Sequence, residues 1–208
     1  MYLADIGNSN IKIWRDGEVD IFPIHSFSPN QILDRVFYIS SNPNFSKQLH
    51  NFPNWKDVSY LFHANTQYRT LGIDRIVAID EVESGIVVDM GTAVTIDIVR
   101  NFQHLGGYIL LGKKASFETF QNKTPHLNID DRKLHQIDTL PLFSEDAIYS
   151  GFFHSIANFV IGLKERYKIE EVLITGGDGE ELSKVVKNSK FRRWLLFEKM
   201  EKRIRKII

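Results

Sequence analysis

Short apolar runs that end in a carboxylate and then turn over a glycine mark two places in this chain. Near the start, Tyr2-Leu3-Ala4 runs into Asp5, the backbone turns at Gly7-Asn8-Ser9, and Ile11 and Ile13 then alternate with polar neighbours. In the middle, Val87-Val88 runs into Asp89, turns over Gly91-Thr92 and resumes at Ala93. Alternation has the period of a half-buried strand and glycine permits the tight return, so each place predicts a β-hairpin. Asp16-Gly17, a dipeptide suited to a two-residue turn, and a strand over 19–24 extend the first hairpin to a three-stranded meander. Strands over 93–100 and 105–111, with a turn at 101–103, do the same for the second. One offset of 84 residues carries Asp5 onto Asp89 and Gly7 onto Gly91, and puts Ile11 and Ile13 on Thr95 and Asp97. The pattern is that of an internal duplication, with two acid-bearing hairpins facing each other across a cleft where phosphate chemistry fits.

After each meander the pattern changes to alternating helices and strands. The first half continues with a helical turn or two at 30–35, a buried strand at 36–39, a short helix at 46–51 and a strand at 58–62. Ile76, Ile79 and Val82 recur at helical spacing within the crossing segment 68–83. The second half predicts a helix at 113–120, then a polar, irregular excursion over 122–143 that lines something. A long helix follows, capped by Ser144, with Glu145 and Asp146 in its first turn and an apolar stripe through Ile148, Phe152, Ile156, Phe159, Val160 and Leu163. A strand at 171–175, a helix at 178–186, a last strand at 194–197 and a basic helix at 199–208 complete the chain. The expected division is 1–83 and 84–208.

Composition narrows the chemistry. The hydrophobic share of 43% and charged share of 25% are those of a globular protein. Lys and Arg total 26, as do Asp and Glu, so no overall field points to nucleic acid or to an anionic membrane, and any charged site is local. With no cysteine there is no disulfide framework, zinc–thiolate cluster or thiol nucleophile. The seven histidines lack zinc-ligand spacing. The opening Met1-Tyr2-Leu3-Ala4-Asp5 has neither a basic leader nor a long apolar run, so a cytoplasmic location is expected.

Asp5-Ile6-Gly7-Asn8-Ser9 by itself reads equally as a tight turn with a capping acid. The second copy at Asp89-Met90-Gly91-Thr92 changes that balance, because paired carboxylates at strand ends suit cations near phosphate oxygens, and glycine and small polar residues supply donors. Gly72-Ile73-Asp74-Arg75 sets an acid beside a base where a helix begins; its plain reading is an Asp N-cap next to a solvated Arg. Thr175-Gly176-Gly177 closes a strand and opens a helix, either a glycine turn or a place where a nucleotide lies on bare backbone. Gly106-Gly107-Tyr108-Ile109 has the same two readings.

In this order and register the motifs resemble the type III pantothenate kinase family, within the acetate and sugar kinase, Hsp70 and actin superfold. They are D-I-G-N-S at 5–9 with Lys12, Tyr68 ahead of G-I-D-R at 72–75, D-M-G-T-A-V-T-I-D at 89–97, G-G-Y-I at 106–109, S-E-D-A-I-Y-S-G at 144–151 and T-G-G at 175–177. The resemblance implies an α/β, duplicated actin-like (ribonuclease H-like) fold, with two mixed sheets flanked by helices around a central cleft. It implies ATP-dependent phosphorylation of pantothenate, the first step toward coenzyme A, by a homodimer using Mg2+ and a monovalent cation, K+ or NH4+. Carried over by position, Asp5, Ile6, Gly7, Asn8, Ser9, Asn10, Ile11 and Lys12 resemble the nucleotide phosphate loop, with Thr92 a further ATP contact. Asp89 resembles the monovalent-cation ligand and Asp74 the proton acceptor, while Tyr68, Gly72, Ile73, Asp74, Arg75 and Ser144 resemble the pantothenate pocket. The chain departs from the family at Leu111, where a proline is usual, at Ser9 and Ser144, where threonines are usual, and in its shorter stretch between His50 and Tyr68. Another small-molecule kinase of the superfold, or a non-catalytic nucleotide-binding relative whose basic 187–206 tail touches nucleic acid, are the competing readings.

Overall fold

The computed structural model describes residues 1–124, 126–127, 137 and 139–207. Much of the excursion expected at 122–143 therefore lies outside the described residues. By packing, the chain forms two units, one of residues 1–81 with 194–208 and one of 82–193. The terminal segment, grouped by sequence with the second half, thus packs in the first unit.

The first unit is built on β1 (Tyr2–Ile6), β2 (Asn10–Arg15) and β3 (Glu18–Pro23), an antiparallel meander, joined by β4 (Val36–Ser40) and β5 (Trp55–Asp57). The sheet order is β3-β2-β1-β4-β5, and β4 runs parallel to both β1 and β5. Helix α1 (Pro43–Leu49) follows β4, and its Asn42 cap accepts the N–H groups of Asn44 and Phe45 at 3.1 and 3.0 Å. A two-residue strand β6 (Asn65–Thr66) and helix α2 (Ile73–Ile79) come next. The core on one face gathers Ile6, Ile11, Ile13, Val36, Tyr38, Phe45 and Trp55.

The second unit repeats the topology with β7 (Gly85–Met90), β8 (Ala93–Arg100) and β9 (Gln103–Leu111) as its antiparallel meander. Helices α3 (Lys113–Lys123) and α4 (Ser144–Tyr167) lead to β10 (Val172–Thr175), then α5 (Gly179–Val185) and β11 (Lys190–Phe191). Strand β10 is parallel to β7 and to β11, so the order β9-β8-β7-β10-β11 mirrors β3-β2-β1-β4-β5. The duplication read from two short motifs extends over five strands of each sheet. Helix α4 buries Phe153, Ile156, Val160 and Leu163 against Ile86, Val88, Ile96 and Ile174.

Three local expectations fail for physical reasons. The run Trp194-Leu195-Leu196-Phe197 is the start of helix α6 (Leu195–Ile204), because Leu196, Met200 and Ile204 continue it at helical spacing and are buried. The strand expected at 58–62 is a single 3-10 turn at Ser59–Leu61, where the Asp57 carboxylate accepts the Ser59 N–H at 2.8 Å and bends the chain. Ser144 occupies the first position of α4 and does not cap it; Phe143 precedes it in extended conformation.

Helix α6 is fastened to α2. Lys199 Nζ donates to the carbonyl of Ala78 at 2.9 Å and to that of Asp80, while Arg203 grips Asp80 through two bonds of 2.9 and 2.6 Å. A cation on the terminal carbonyls of a helix completes its hydrogen bonding and offsets its dipole. Burial pushes the Lys199 amine down to about 8.

Candidate active site

In the first unit, the site begins where β1 ends. Asp5 is 8% exposed and lies opposite Lys12 across the β1–β2 ladder, whose Nζ stands 3.1 Å from Asp5 Oδ2. The turn between them is closed by the Gly7 N–H donating to the Asn10 carbonyl at 3.0 Å, and leaves Asn8, Ser9 and Asn10 exposed. Residues 5–12 therefore form a tip of polar donors over a buried, cation-paired carboxylate. Ile6 and Ile11 have apolar roles, both fully buried in the core beneath.

Helix α2 supplies the second carboxylate. Gly72, not Asp74, occupies the cap position, and Asp74 sits at the second helical residue with Oδ1 accepting the Arg75 N–H at 2.9 Å. Burial, reinforced by repulsion from Asp5, raises the Asp74 carboxyl above the usual carboxylate range, while the Arg75 N–H and guanidinium oppose the rise. Arg75, solvated on the plain reading of this motif, is 5% exposed, with its guanidinium 4.8 Å from the centre of the Tyr68 ring. Tyr68 is held in turn by its N–H on Thr66 Oγ1 at 3.0 Å. Tyr68, Gly72, Ile73, Asp74 and Arg75 are thus one cluster of this unit.

In the second unit, Asp89 ends its strand as Asp5 does, half-buried, with Gly91 N–H donating to the Ala93 carbonyl at 3.1 Å to close the turn. The return strand is in a different register from the sequence overlay. Asp89 pairs with Thr95 and Met90 with Val94, so Ile11 and Ile13 correspond to Val94 and Ile96, and Lys12 corresponds to Thr95. The second turn is one residue shorter, which shifts the later strand by one and keeps the apolar residues on the buried face. Thr92 is exposed at its tip, and Ser144 is exposed at the start of α4.

Two glycines pack closely against this turn. A Cβ at Gly176, whose φ is +90°, would stand 2.5 Å from Asp89 Oδ1 and 2.6 Å from the Met90 carbonyl oxygen. One at Gly112 would stand 2.4 Å from the carbonyl oxygens of both Gly91 and Thr92. Beside them Lys113 and Asp178 form an ion pair at 2.9 Å, joining the start of α3 to the turn before α5. The Thr175-Gly176-Gly177 motif pointed to the first of these; Gly112 and Lys113, directly after β9, stood outside any pattern.

A duplicated pair of mixed sheets, each opening with a meander that carries an acid at its turn, is the actin-like fold. A putative 2-dehydro-3-deoxygalactonokinase structure from Sinorhizobium meliloti shares the fold at TM-score 0.60 and 9% identity, over 99% of this chain and 98% of that one. The type III pantothenate kinase family model matches residues 55–166, and the chain belongs to that family. A type III pantothenate kinase of Campylobacter hominis is 35% identical over 96% of both chains. A solved Campylobacter jejuni protein, described as a "conserved putative Baf family transcriptional activator", superposes at TM-score 0.80 with 31% identity, over 100% of this chain and 98% of that one.

Proposed function

We propose that Asp74 receives the proton of the pantothenate hydroxyl as that oxygen attacks the γ-phosphorus of ATP, in the ATP-dependent phosphorylation that is the family's reaction. The oxygen–phosphorus bond forms, the bond from the γ-phosphorus to its bridging oxygen breaks, and ADP leaves with that electron pair. Such a transfer asks the protein mainly for alignment and charge stabilisation. The observation that carries the reading is the Asp74 carboxylate itself, fixed at the head of α2 and raised toward a useful basicity by burial. A carboxylate nearer neutrality accepts a proton more readily late in the transfer.

Residues 5–12 hold the phosphates, with exposed donors at Asn8 and Ser9 and the charge of Lys12, and Thr92 adds a hydroxyl. Tyr68, Gly72, Ile73 and Ser144 shape the pantothenate pocket, and Arg75, buried on the Tyr68 ring, answers the substrate's carboxylate. Magnesium binds oxygen from one or two carboxylates together with substrate phosphates; the Asp5 carboxylate, 8% exposed at the end of β1, would hold it, and the ion would supply charge neutralisation for the transferring phosphate. Asp89 fits K+ or NH4+, because its carboxylate shares the space beside Gly176 with the Met90 carbonyl oxygen. A homodimer is supported by apolar side chains left exposed on β9 and α4, among them Leu105, Ile109, Phe159 and Ile161. Sedimentation at micromolar concentration tests it; a monomer there removes it. Among the described residues, no helix is long and apolar enough to cross a membrane.

The nucleic-acid reading draws no support from α6 and the turn after it, where Arg203 is engaged by Asp80 and Lys202 and Lys206 by Glu81. An assay of ATP consumption with pantothenate, with and without potassium, tests the proposal. Asp74→Asn is expected to lower kcat by roughly 1,000-fold or more; turnover near wild type would remove Asp74 from its role. Asp89→Asn is expected to abolish stimulation by potassium, and equal wild-type rates with sodium as sole monovalent cation would remove Asp89 from its own.

A further inference from the structure

The two oxygens of the Asp74 carboxylate are treated differently by their surroundings. Oδ1 accepts the Arg75 N–H at 2.9 Å, and it also lies where a side chain on Gly72 would begin. A Cβ at position 72 would stand 2.5 Å from Oδ1, a separation so short that the carboxylate must shift. Among the described residues, and beyond its chain neighbours, the only heavy atoms within 4 Å of that point are Oδ1 and, at 3.6 Å, the Asp74 Cγ.

The backbone does not ask for glycine here. Gly72 has φ −66° and ψ 152°, an extended conformation open to any residue. Nor does the helix: Ser, Thr, Asp or Asn at the cap position would satisfy a backbone N–H of α2 that glycine leaves to others. What glycine provides is room for one oxygen of one side chain.

We infer that Gly72 is a positioning residue: lacking a Cβ, it lets Asp74 fold Oδ1 back onto the Arg75 N–H, which leaves Oδ2 as the oxygen that receives the substrate proton. This rests on the reading of Asp74 as proton acceptor. An alanine at 72 meets only the far end of a short side chain, so the fold accommodates it and the carboxylate turns away. The cost falls on turnover and not on folding, because small misplacements of a reacting group cost on the order of 100-fold in rate.

The test compares Gly72→Ala, Asp74→Asn and the double variant. For Gly72→Ala we expect kcat to fall on the order of 100-fold, the thermal midpoint to hold or rise, and a non-hydrolysable ATP analogue to bind within about twofold of wild type. The Arg75 amide proton is expected to move upfield as it loses Oδ1, and the double variant to be no slower than Asp74→Asn alone. An unmoved Arg75 amide, a kcat within about twofold of wild type, or a double variant slowed by the product of the two single losses would overturn the inference. If Asp74→Asn keeps its rate while the amide still moves, the proton-acceptor reading fails and takes the role of Oδ2 with it, whereas a dead Asp74→Asn beside a fast Gly72→Ala sinks the inference alone.

Discussion

The two acid-bearing hairpins are the same device with one residue of difference in the turn, and that residue decides what faces each carboxylate. In β1–β2 three residues separate the strands, the register sets Lys12 opposite Asp5, and the ion pair forms at 3.1 Å. In β7–β8 two residues separate them, and uncharged Thr95 stands opposite Asp89. The first carboxylate therefore has a cation built into its own ladder, and the second is enclosed by backbone from two neighbouring glycine turns. Duplication conserved the order of five strands in each sheet, while the turn length changed what faces each acid: an amine in the first hairpin, a hydroxyl in the second.

The sharpest way to break this comparison is to add one methyl group to each side. Gly176→Ala must place a Cβ at φ +90°, against the Met90 carbonyl and the Asp89 carboxylate, and is expected to cost about 3 kcal/mol or more and to abolish turnover. Gly7→Ala meets only the Asn10 carbonyl oxygen at 3.3 Å and is expected to cost under about 1 kcal/mol. Chemical denaturation of the two variants decides it; equal losses would mean that the turns are packed alike. Next in size is the exchange of partners. Lys12→Met is expected to lower kcat/KM for ATP on the order of 100-fold, while Thr95→Val keeps it within about threefold. Similar losses at both positions would erase the division of roles.

How far these features could be read in advance depended on how local their causes are. The meanders, the long α4 and the carboxylates at 5 and 89 follow from alternation, helical spacing and glycine, all carried by neighbouring residues. The register of β8 did not, because sequence overlay assumes equal turns and only ladder pairing reveals the missing residue. Helix α6 was misread at its start because four apolar residues in a row have no period of their own; its partners, Ala78 and Asp80, lie more than a hundred residues away. The burial of Arg75 was equally hidden, since a ring contact with Tyr68 decides it. Lys113 and Asp178 meet through folding alone, and neither position carries a pattern that singles it out.

The smallest expected effect tests whether Lys12 shields Asp5 within the first hairpin. The Asp74 carboxyl stands above its ordinary value, first through burial and then through repulsion by Asp5, and the opposing influences come from Arg75 and from Asp74's own backbone N–H. Neutralising Asp5 as Asn should bring that carboxyl down without restoring it fully, because burial is untouched. Removing the amine in Lys12→Met should instead move it up, since the Asp5 charge then acts uncompensated. Carbon-13 titration of the Asp74 carboxyl in the nucleotide-free protein reads both. The linked stability has a definite sign: a carboxyl whose folded value is raised binds its proton more tightly in the folded chain, so stability declines as pH rises through the window between the unfolded and folded values. Asp74→Asn removes that decline and should melt no lower than wild type at neutral pH. On the proposed role of Asp74, activity should run the other way, falling as pH drops through the raised Asp74 value, because only the ionised form accepts a proton. An Asp5→Asn protein whose Asp74 carboxyl titrates as in wild type would show that the first hairpin carries no electrostatic link to the base, and would leave burial as the sole cause of its shift.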